Sequence, residues 1–139
     1  MSGHRNPIPG FELPPSLGDI AAMAERALAS IPPPFAEHVQ DVGVAVEDRA
    51  DDETLHELGI DSAWELTGLY RGVPLTQRSV LDVVQQPDRI FLYRQAILLE
   101  WIETGEDLYR LVRSVVVHEV AHHFGFSDAD IEAIEQGSG

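Results

Sequence analysis

The sequence predicts an α+β domain in which three short strands come before the main helices. Segments with strand-like alternation occupy the middle of the chain, and the apolar pattern becomes helical from Gln95 onwards. The 139 residues, 44% of them apolar, can bury one core, and they include no cysteine for a disulfide or a thiolate metal site. We expect a single domain over residues 16–139. Residues 1–15, with four prolines and two glycines, are expected to form an extended or disordered tail.

The first expected element is a helix that begins at Ser16 or Asp19, since either residue can cap a helix. Apolar residues recur along one side of it at helical spacing: Ile20, Met23, Ala24, Ala27, Leu28 and Ile31. The three prolines at 32–34 end this helix and can open a short one that continues through Val39.

Three strands are expected next. Alternating valines mark the first in "DVGVAVED", "ELTGLYRGVPL" is a second strand ending at Pro74, and "DRIFLYR" is the third. The acidic segment "EDRADDE", between the first two strands, is expected to be a solvated loop.

Three helices complete the chain. The first covers "QAILLEWIE" and breaks at "TGED", the second runs from about Glu106 to Phe124, and the last occupies roughly residues 128–136. Apolar residues surround the long helix between Val115 and Phe124, so this half should be central and enclosed. The "VVV" run within it has poor helix propensity and would suit a strand as well.

The charge of the chain excludes some classes of function. With 24 acidic and 9 basic residues the net charge is −15, which repels phosphate backbones, so no nucleic-acid partner is expected. No apolar segment approaches the length needed to span a bilayer, and the N-terminus lacks the apolar region of a secretory signal. We expect a cytoplasmic protein with no membrane partner.

The stretch "VVVHEVAHHFGFSD" favours a helix that carries a metal site. His118 and His122 are four residues apart, so on a helix they project from one face and can hold one ion, whereas a strand would separate them too far. Glu119 lies about 100° round from His118, where it can reach a water on the metal without being a ligand. In this H-E-x-x-H pattern two imidazoles bind Zn²⁺ and the glutamate takes a proton from the metal-bound water.

Zinc needs a third protein ligand. Gly125 is expected to end the helix in the left-handed conformation, after which Asp128 can turn back to the ion. Asp128 could instead cap the last helix, but Ser127 and Asp130 resemble a capping box that would leave Asp128 for the metal. Three other carboxylates are alternatives for this position: Asp130, Glu132 and Glu135.

The pattern H-E-x-x-H-x-x-G-x-x-D is similar to the metzincin signature, with aspartate in place of the third histidine. The segments "GLYRGVPLTQRS", "DRIFLYR" and "VVVHEVAHHFGFSD" resemble the small bacterial zincin-like metallopeptidases over roughly residues 35–136. The resemblance implies a small mixed sheet of three to four strands, packed on a central active-site helix with flanking helices. It also implies His118, His122 and Asp128 as zinc ligands and Glu119 as the catalytic base.

The chain departs from metzincins in lacking a methionine turn, because its only methionines are Met1 and Met23. The floor of the site would then be built by the last helix, with Ile131 and Ile134 as candidates.

These residues predict a zinc-dependent metallopeptidase that hydrolyses a peptide or protein substrate through a metal-activated water, with Glu119 as general base. One alternative is a non-catalytic binding module that the metal stabilises. Another is a metal-dependent ribonuclease, which Glu119 and the net charge disfavour.

Other polar residues have two interpretations or lie away from the site. Tyr70 and Tyr93 are either oxyanion stabilisers or half-buried strand residues, and "GLYRGVPL" is either a substrate-pairing edge strand or an ordinary strand boundary. His123 points about 100° away from His122, and Tyr109 lies opposite His118, so neither should bind the ion. The remaining histidines are expected to be exposed: His4, His38 and His56.

Overall fold

The computed structural model describes residues 13–72 and 88–137, and these form a small three-stranded sheet with helices on both faces. In chain order the elements are α1 (Leu17–Ala29), a 3-10 helix (Phe35–Val39), β1 (Gly43–Glu47), α2 (Asp52–Leu58), a 3-10 helix (Ala63–Glu65), β2 (Gly68–Arg71), β3 (Arg89–Tyr93), α3 (Arg94–Thr104), α4 (Leu108–Phe124) and α5 (Asp128–Gly137). The α+β prediction is confirmed.

The sheet is mixed, with the strand order β1-β3-β2. β1 runs parallel to β3, and β2 runs antiparallel to it. Val44 and Tyr70 both pair with Ile90, so one row of residues crosses all three strands. The connection between the parallel strands β1 and β3 contains α2 and β2, in keeping with the long crossover that parallel pairing requires.

β3 supplies residues to two hydrophobic clusters because successive side chains of a strand point to opposite faces of the sheet. Ile90 and Leu92 are fully buried in the larger cluster, with residues of α1 and α4. Tyr93 is buried in a smaller cluster with Ala50, Leu55 and Ala96. The sheet is therefore covered by α1 and α4 on one face and by α2 with the start of α3 on the other.

Helix α1 is the expected first helix, and Ser16 is its cap. The Ser16 hydroxyl accepts a hydrogen bond from the Asp19 N–H, while the Asp19 carboxylate accepts one from the Ser16 N–H, a complete capping box. The expected apolar side of the helix faces the core, where Ile20, Ala24 and Ala27 are fully buried.

The acidic segment expected to be a loop is non-helical over residues 48–51, but the prediction is wrong for Asp52 and Glu53, which are helical. Helix α2 begins at Asp52 because the Asp51 carboxylate accepts a hydrogen bond from the Thr54 N–H, and it ends at Gly59 in the left-handed conformation. β2 is shorter than expected, since residues 63–65 form a 3-10 helix. The expected strand end at Pro74 and most of the N-terminal tail lie outside the described residues.

Two further predictions can be compared with the described ranges. Pro15, assigned to the tail, is buried, and its carbonyl accepts a hydrogen bond from the Arg94 side chain at 2.6 Å. Within residues 13–72 and 88–137, no helix is both long and apolar enough to cross a bilayer.

Candidate metal centre

The H-E-x-x-H segment lies on α4, the helix that the sequence places at the centre of the domain. Its valines are poor helix formers, by about 0.5 kcal/mol each. Val116, Val117 and Val120 are fully buried, and burying a valine side chain contributes about 1.5 kcal/mol or more. Packing therefore outweighs propensity, and the residues form a helix rather than a strand.

The two predicted zinc-binding histidines lie one turn apart on α4, and both are exposed. The sequence predicts that apolar residues enclose α4 between Val115 and Phe124. This is wrong for the side of the helix that carries the histidines, because His123 is exposed as well. The core covers the opposite side of α4, and the imidazoles of His118 and His122 are accessible to an ion and to water.

The ring of His118 has a defined orientation. Its Nδ1 lies 2.7 Å from the Ser114 carbonyl oxygen. A carbonyl can only accept, so Nδ1 carries the hydrogen and Nε2 keeps its lone pair. A hydrogen bond from the second ring nitrogen to a carbonyl is the usual way in which proteins orient a metal-binding histidine. His118 therefore fits a role as a ligand through Nε2.

Glu119 lies between the two histidines in sequence and is half-buried. Its Oε1 accepts a hydrogen bond from the backbone N–H of Tyr70, at 3.2 Å. Burial raises the pKa of the Glu119 carboxyl above its ordinary value, while the Tyr70 N–H and the two imidazoles act in the opposite direction. A carboxylate with a raised pKa is better suited to accept a proton near neutral pH.

Gly68 allows β2 to lie against α4 beside Glu119. A Cβ atom at this position would lie 2.6 Å from Cγ1 of Val115 and 3.5 Å from Cγ of Glu119. A side chain larger than hydrogen would therefore require either the Val115 side chain or the strand to shift. The absence of a side chain at Gly68 thus sets the distance over which Tyr70, two residues later, reaches the carboxylate.

The helix ends as the sequence predicts. Gly125 has φ 72° and ψ 30°, and the N–H groups of Gly125 and Phe126 donate to the Ala121 carbonyl. The chain then reverses into α5. Ser127 and Asp130 form the expected capping box, with reciprocal hydrogen bonds of 2.9 and 3.1 Å. Asp128 is therefore the first residue of α5 and is not its cap.

Asp128 is exposed, but the structure does not bring it together with the two histidines. In the part of the chain that the structure describes, no three histidine, aspartate or glutamate side chains are close enough to hold one metal ion. The third-ligand role of Asp128 stays a prediction, as do those of its alternatives on α5. Ile134 is fully buried in the larger cluster and Ile131 packs against it, which attaches α5 to α4.

The chemical types of the predicted donors, imidazole nitrogen and carboxylate oxygen, are nevertheless ones that zinc accepts. Two exposed imidazoles lie one helical turn apart, the tautomer of His118 leaves Nε2 available, and the turn at Gly125 returns a carboxylate-bearing helix towards α4. Nitrogen and oxygen donors of this kind hold zinc in catalytic sites, where a further position is left for water.

The two tyrosines considered as oxyanion stabilisers lie in different places. Tyr93 is buried in the smaller cluster, on the face of the sheet opposite α4, and burial raises its pKa. Tyr70 lies on the α4 face, with its ring stacked on that of His123, and its hydroxyl donates to Asp88 at 2.9 Å. The sequence reasoning missed the contacts of Tyr70 with Glu119 and His123, since no local pattern marks a contact across 49 residues.

Two comparisons with known proteins bear on this arrangement. A family model described as zincin-like metallopeptidase matches residues 39–138, which include the whole sheet and helices α2 to α5. The comparison with curated proteins gives no match.

Proposed function

The chain belongs to the zincin-like metallopeptidase family, and on that premise we propose that it is a zinc-dependent peptidase. The observation that carries the proposal is the half-buried Glu119 beside two exposed histidines one turn apart on α4. Glu119 would be the general base, and the substrate would be a peptide or protein.

His118 and His122 would hold the ion through ring nitrogens, and Asp128 would hold it through a carboxylate oxygen. Zinc, when bound, lowers the pKa of a coordinated water and polarises the carbonyl of the scissile bond. The exposure of both imidazoles supports an accessible site rather than a closed structural one, in which four protein ligands would exclude water.

Glu119 would accept the proton of the attacking water and pass it to the leaving amine. The Tyr70 N–H occupies Oε1, which leaves Oε2 for the transferred proton. The pKa of Glu119, raised by burial, brings the carboxyl closer to the pH at which it must both accept and release a proton.

The decisive experiment compares the wild-type protein with Glu119→Gln and His122→Ala after purification without added metal. Bound zinc is measured by elemental analysis, and cleavage of a complex peptide mixture is followed by mass spectrometry. We expect Glu119→Gln to keep its zinc and to lose about 100-fold or more of the cleavage rate. His122→Ala should lose both. A Glu119→Gln variant as active as the wild type would exclude this mechanism.

The third ligand is tested by Asp128→Ala against Glu132→Ala, which removes an exposed carboxylate from the same helix. Loss of a ligand should weaken zinc binding at least about tenfold in Asp128→Ala, as measured by competition with a chelator. Glu132→Ala should bind as the wild type does. The reverse order would assign the ligand role to Glu132.

A further inference from the structure

Tyr70 is held by two successive turns of α4. Its backbone N–H donates to Glu119, and its ring stacks on His123, which follows Glu119 by four residues. Residues four apart lie on the same face of a helix. Tyr70 therefore contacts α4 at two successive turns, through its backbone N–H at the first and through its ring at the second.

The stack is close and nearly parallel. The centroids of the Tyr70 and His123 rings are 3.8 Å apart, with an angle of 15° between the ring planes. The tyrosine hydroxyl also donates to Asp88, just before β3, at 2.9 Å. The ring is thus fixed at its face by α4 and at its hydroxyl by the residue that precedes β3.

The backbone of Tyr70 is oriented towards the helix by the pairing of the sheet. The Tyr93 N–H donates to the Thr67 carbonyl, so Gly68 and Leu92 form a pair without direct hydrogen bonds. Two residues later, Tyr70 and Ile90 form the next such pair, and the Tyr70 N–H points away from β3. It meets the Glu119 carboxylate on the outer side of β2.

We propose that His123 is a positioning residue for Glu119, because its ring holds Tyr70 so that the Tyr70 N–H fixes the Glu119 carboxylate. His123 does not bind the metal ion and does not touch the substrate. The importance of this geometry for turnover rests on the proposed role of Glu119 as base. The positioning of Tyr70 by His123 can be tested in the metal-free protein. A failure of the positioning proposal is therefore distinguishable from a failure of the proposed peptidase function.

The test measures hydrogen exchange of backbone amides by NMR in the metal-free full-length protein. The variants are His123→Ala, which removes the ring, and His123→Phe, which keeps a stacking ring. Glu119→Ala removes the acceptor and gives the limit for an unbonded Tyr70 N–H. We expect His123→Ala to speed exchange at Tyr70 about tenfold relative to Leu69, which pairs with Phe91 in the sheet. His123→Phe should stay within about twofold of the wild type.

A purely structural role of His123 would change the exchange of Tyr70 and Leu69 together. Equal changes at both amides, or an unchanged Tyr70 amide in His123→Ala, would overturn the proposal. A His123→Phe variant as impaired as His123→Ala would also overturn it, since a stacking ring would then have failed to substitute. If His123→Ala does not fold, His123→Gln, which keeps bulk but no ring, takes its place with the same expectation.

A second readout separates positioning from metal binding. Both His123 variants should bind zinc with the wild-type affinity, measured by chelator competition, because His123 is outside the ligand set. A large loss of zinc affinity in both would identify His123 as a ligand and overturn the proposal. With zinc bound, His123→Ala should lower kcat of peptide cleavage about tenfold and leave KM unchanged.

Discussion

At the scale of single residues, the approach of β2 to α4 depends on Gly68. Its hydrogen leaves room where a Cβ atom would lie 2.6 Å from Val115. At Gly68 the backbone of β2 therefore packs directly against side chains of α4. The hydrogen bond from Tyr70 to Glu119 lies two residues further along the same strand.

Gly68→Ala should lower the free energy of unfolding by about 1–3 kcal/mol, because the added methyl group overpacks the contact with Val115. Urea denaturation measures the change. Gly43→Ala is the matched control in β1, since its Cβ would meet nothing closer than 3.8 Å. Adding Val115→Ala to Gly68→Ala should recover part of the loss, and equal losses in the two glycine variants would contradict the overpacking account.

The burial of Glu119 predicts a specific dependence of stability on pH. Its pKa is raised in the folded protein, so the folded state binds the proton more tightly than the unfolded state. The associated stability is complete below the ordinary pKa of a glutamate, and it is lost as the pH rises through the higher pKa of the folded state.

Glu119→Gln removes this titration and keeps an acceptor for the Tyr70 N–H. In the metal-free protein it should therefore be more stable than the wild type at pH 8 and should lose that advantage below about pH 4. Urea titrations of both proteins across this range measure the difference. A wild-type protein that gains stability relative to the variant as the pH rises would contradict the sign of the pKa shift.

The sequence carries the histidines and the glutamate of the site but not their surroundings. His118 and His122 follow from a spacing of four, which any helix converts into a shared face. Tyr70 and Asp88 lie near the site because β2 pairs with β3. The register of that pairing cannot be read from the local sequence of either strand. The exposure of His118 and His122 was missed because the apolar residues around α4 do not reveal which side the other elements leave uncovered.

At the scale of elements, the helices were predicted where caps and periodicity agree. The ends of α1 and α4 follow from Ser16 and Gly125, two residues with strong local preferences. Helix α2 was missed although Asp51 and Gly59 are a regular start and stop. Its acidic residues resemble a solvated loop, and the burial of Thr54 and Leu55 that stabilises it depends on tertiary contacts.

Helix α5 is attached through a buried arginine. Arg113 of α4 is 9% exposed, and it donates to the carbonyls of Ile134 and Glu135 near the end of α5 and to the hydroxyl of Ser30 at the end of α1. Carbonyls at the end of a helix have no partners within it and carry partial negative charge. One guanidinium therefore satisfies two terminal carbonyls of α5 and also bonds to the side chain of the residue that ends α1.

Arg113→Met should lower the free energy of unfolding by about 1–3 kcal/mol, because it leaves the Ile134 and Glu135 carbonyls without this donor. Arg110→Met is the control, since it removes an exposed arginine from the same helix and should change stability by less than about 0.5 kcal/mol. Urea denaturation compares the two. A similar effect of both substitutions would mean that the buried hydrogen bonds contribute no net stability.

At the scale of the whole molecule, the net charge destabilises the folded state. A net charge of −15 over 139 residues produces mutual repulsion that is strongest in the compact state. Salt reduces it, since the screening length falls from about 30 Å at 0.01 M to about 10 Å at 0.1 M ionic strength.

Sodium chloride should therefore raise the free energy of unfolding of the metal-free protein between 0.01 and 0.1 M, as screening relieves the repulsion. Urea denaturation at each concentration measures the change. Potassium chloride should act equally, which would separate screening from specific binding of sodium. A constant or falling stability would show that local attractive pairs outweigh the net charge.

The division of β3 between two clusters makes its length more important than its composition. Exchanging Ile90 for leucine would replace one aliphatic group by another of equal size. Deleting Phe91 would move the two side chains that follow it to the opposite faces of the sheet, so that Leu92 would point towards α2 and Tyr93 towards α4. Both hydrophobic layers would lose their central contacts at once, so a single missing codon here would damage the molecule more than most point substitutions.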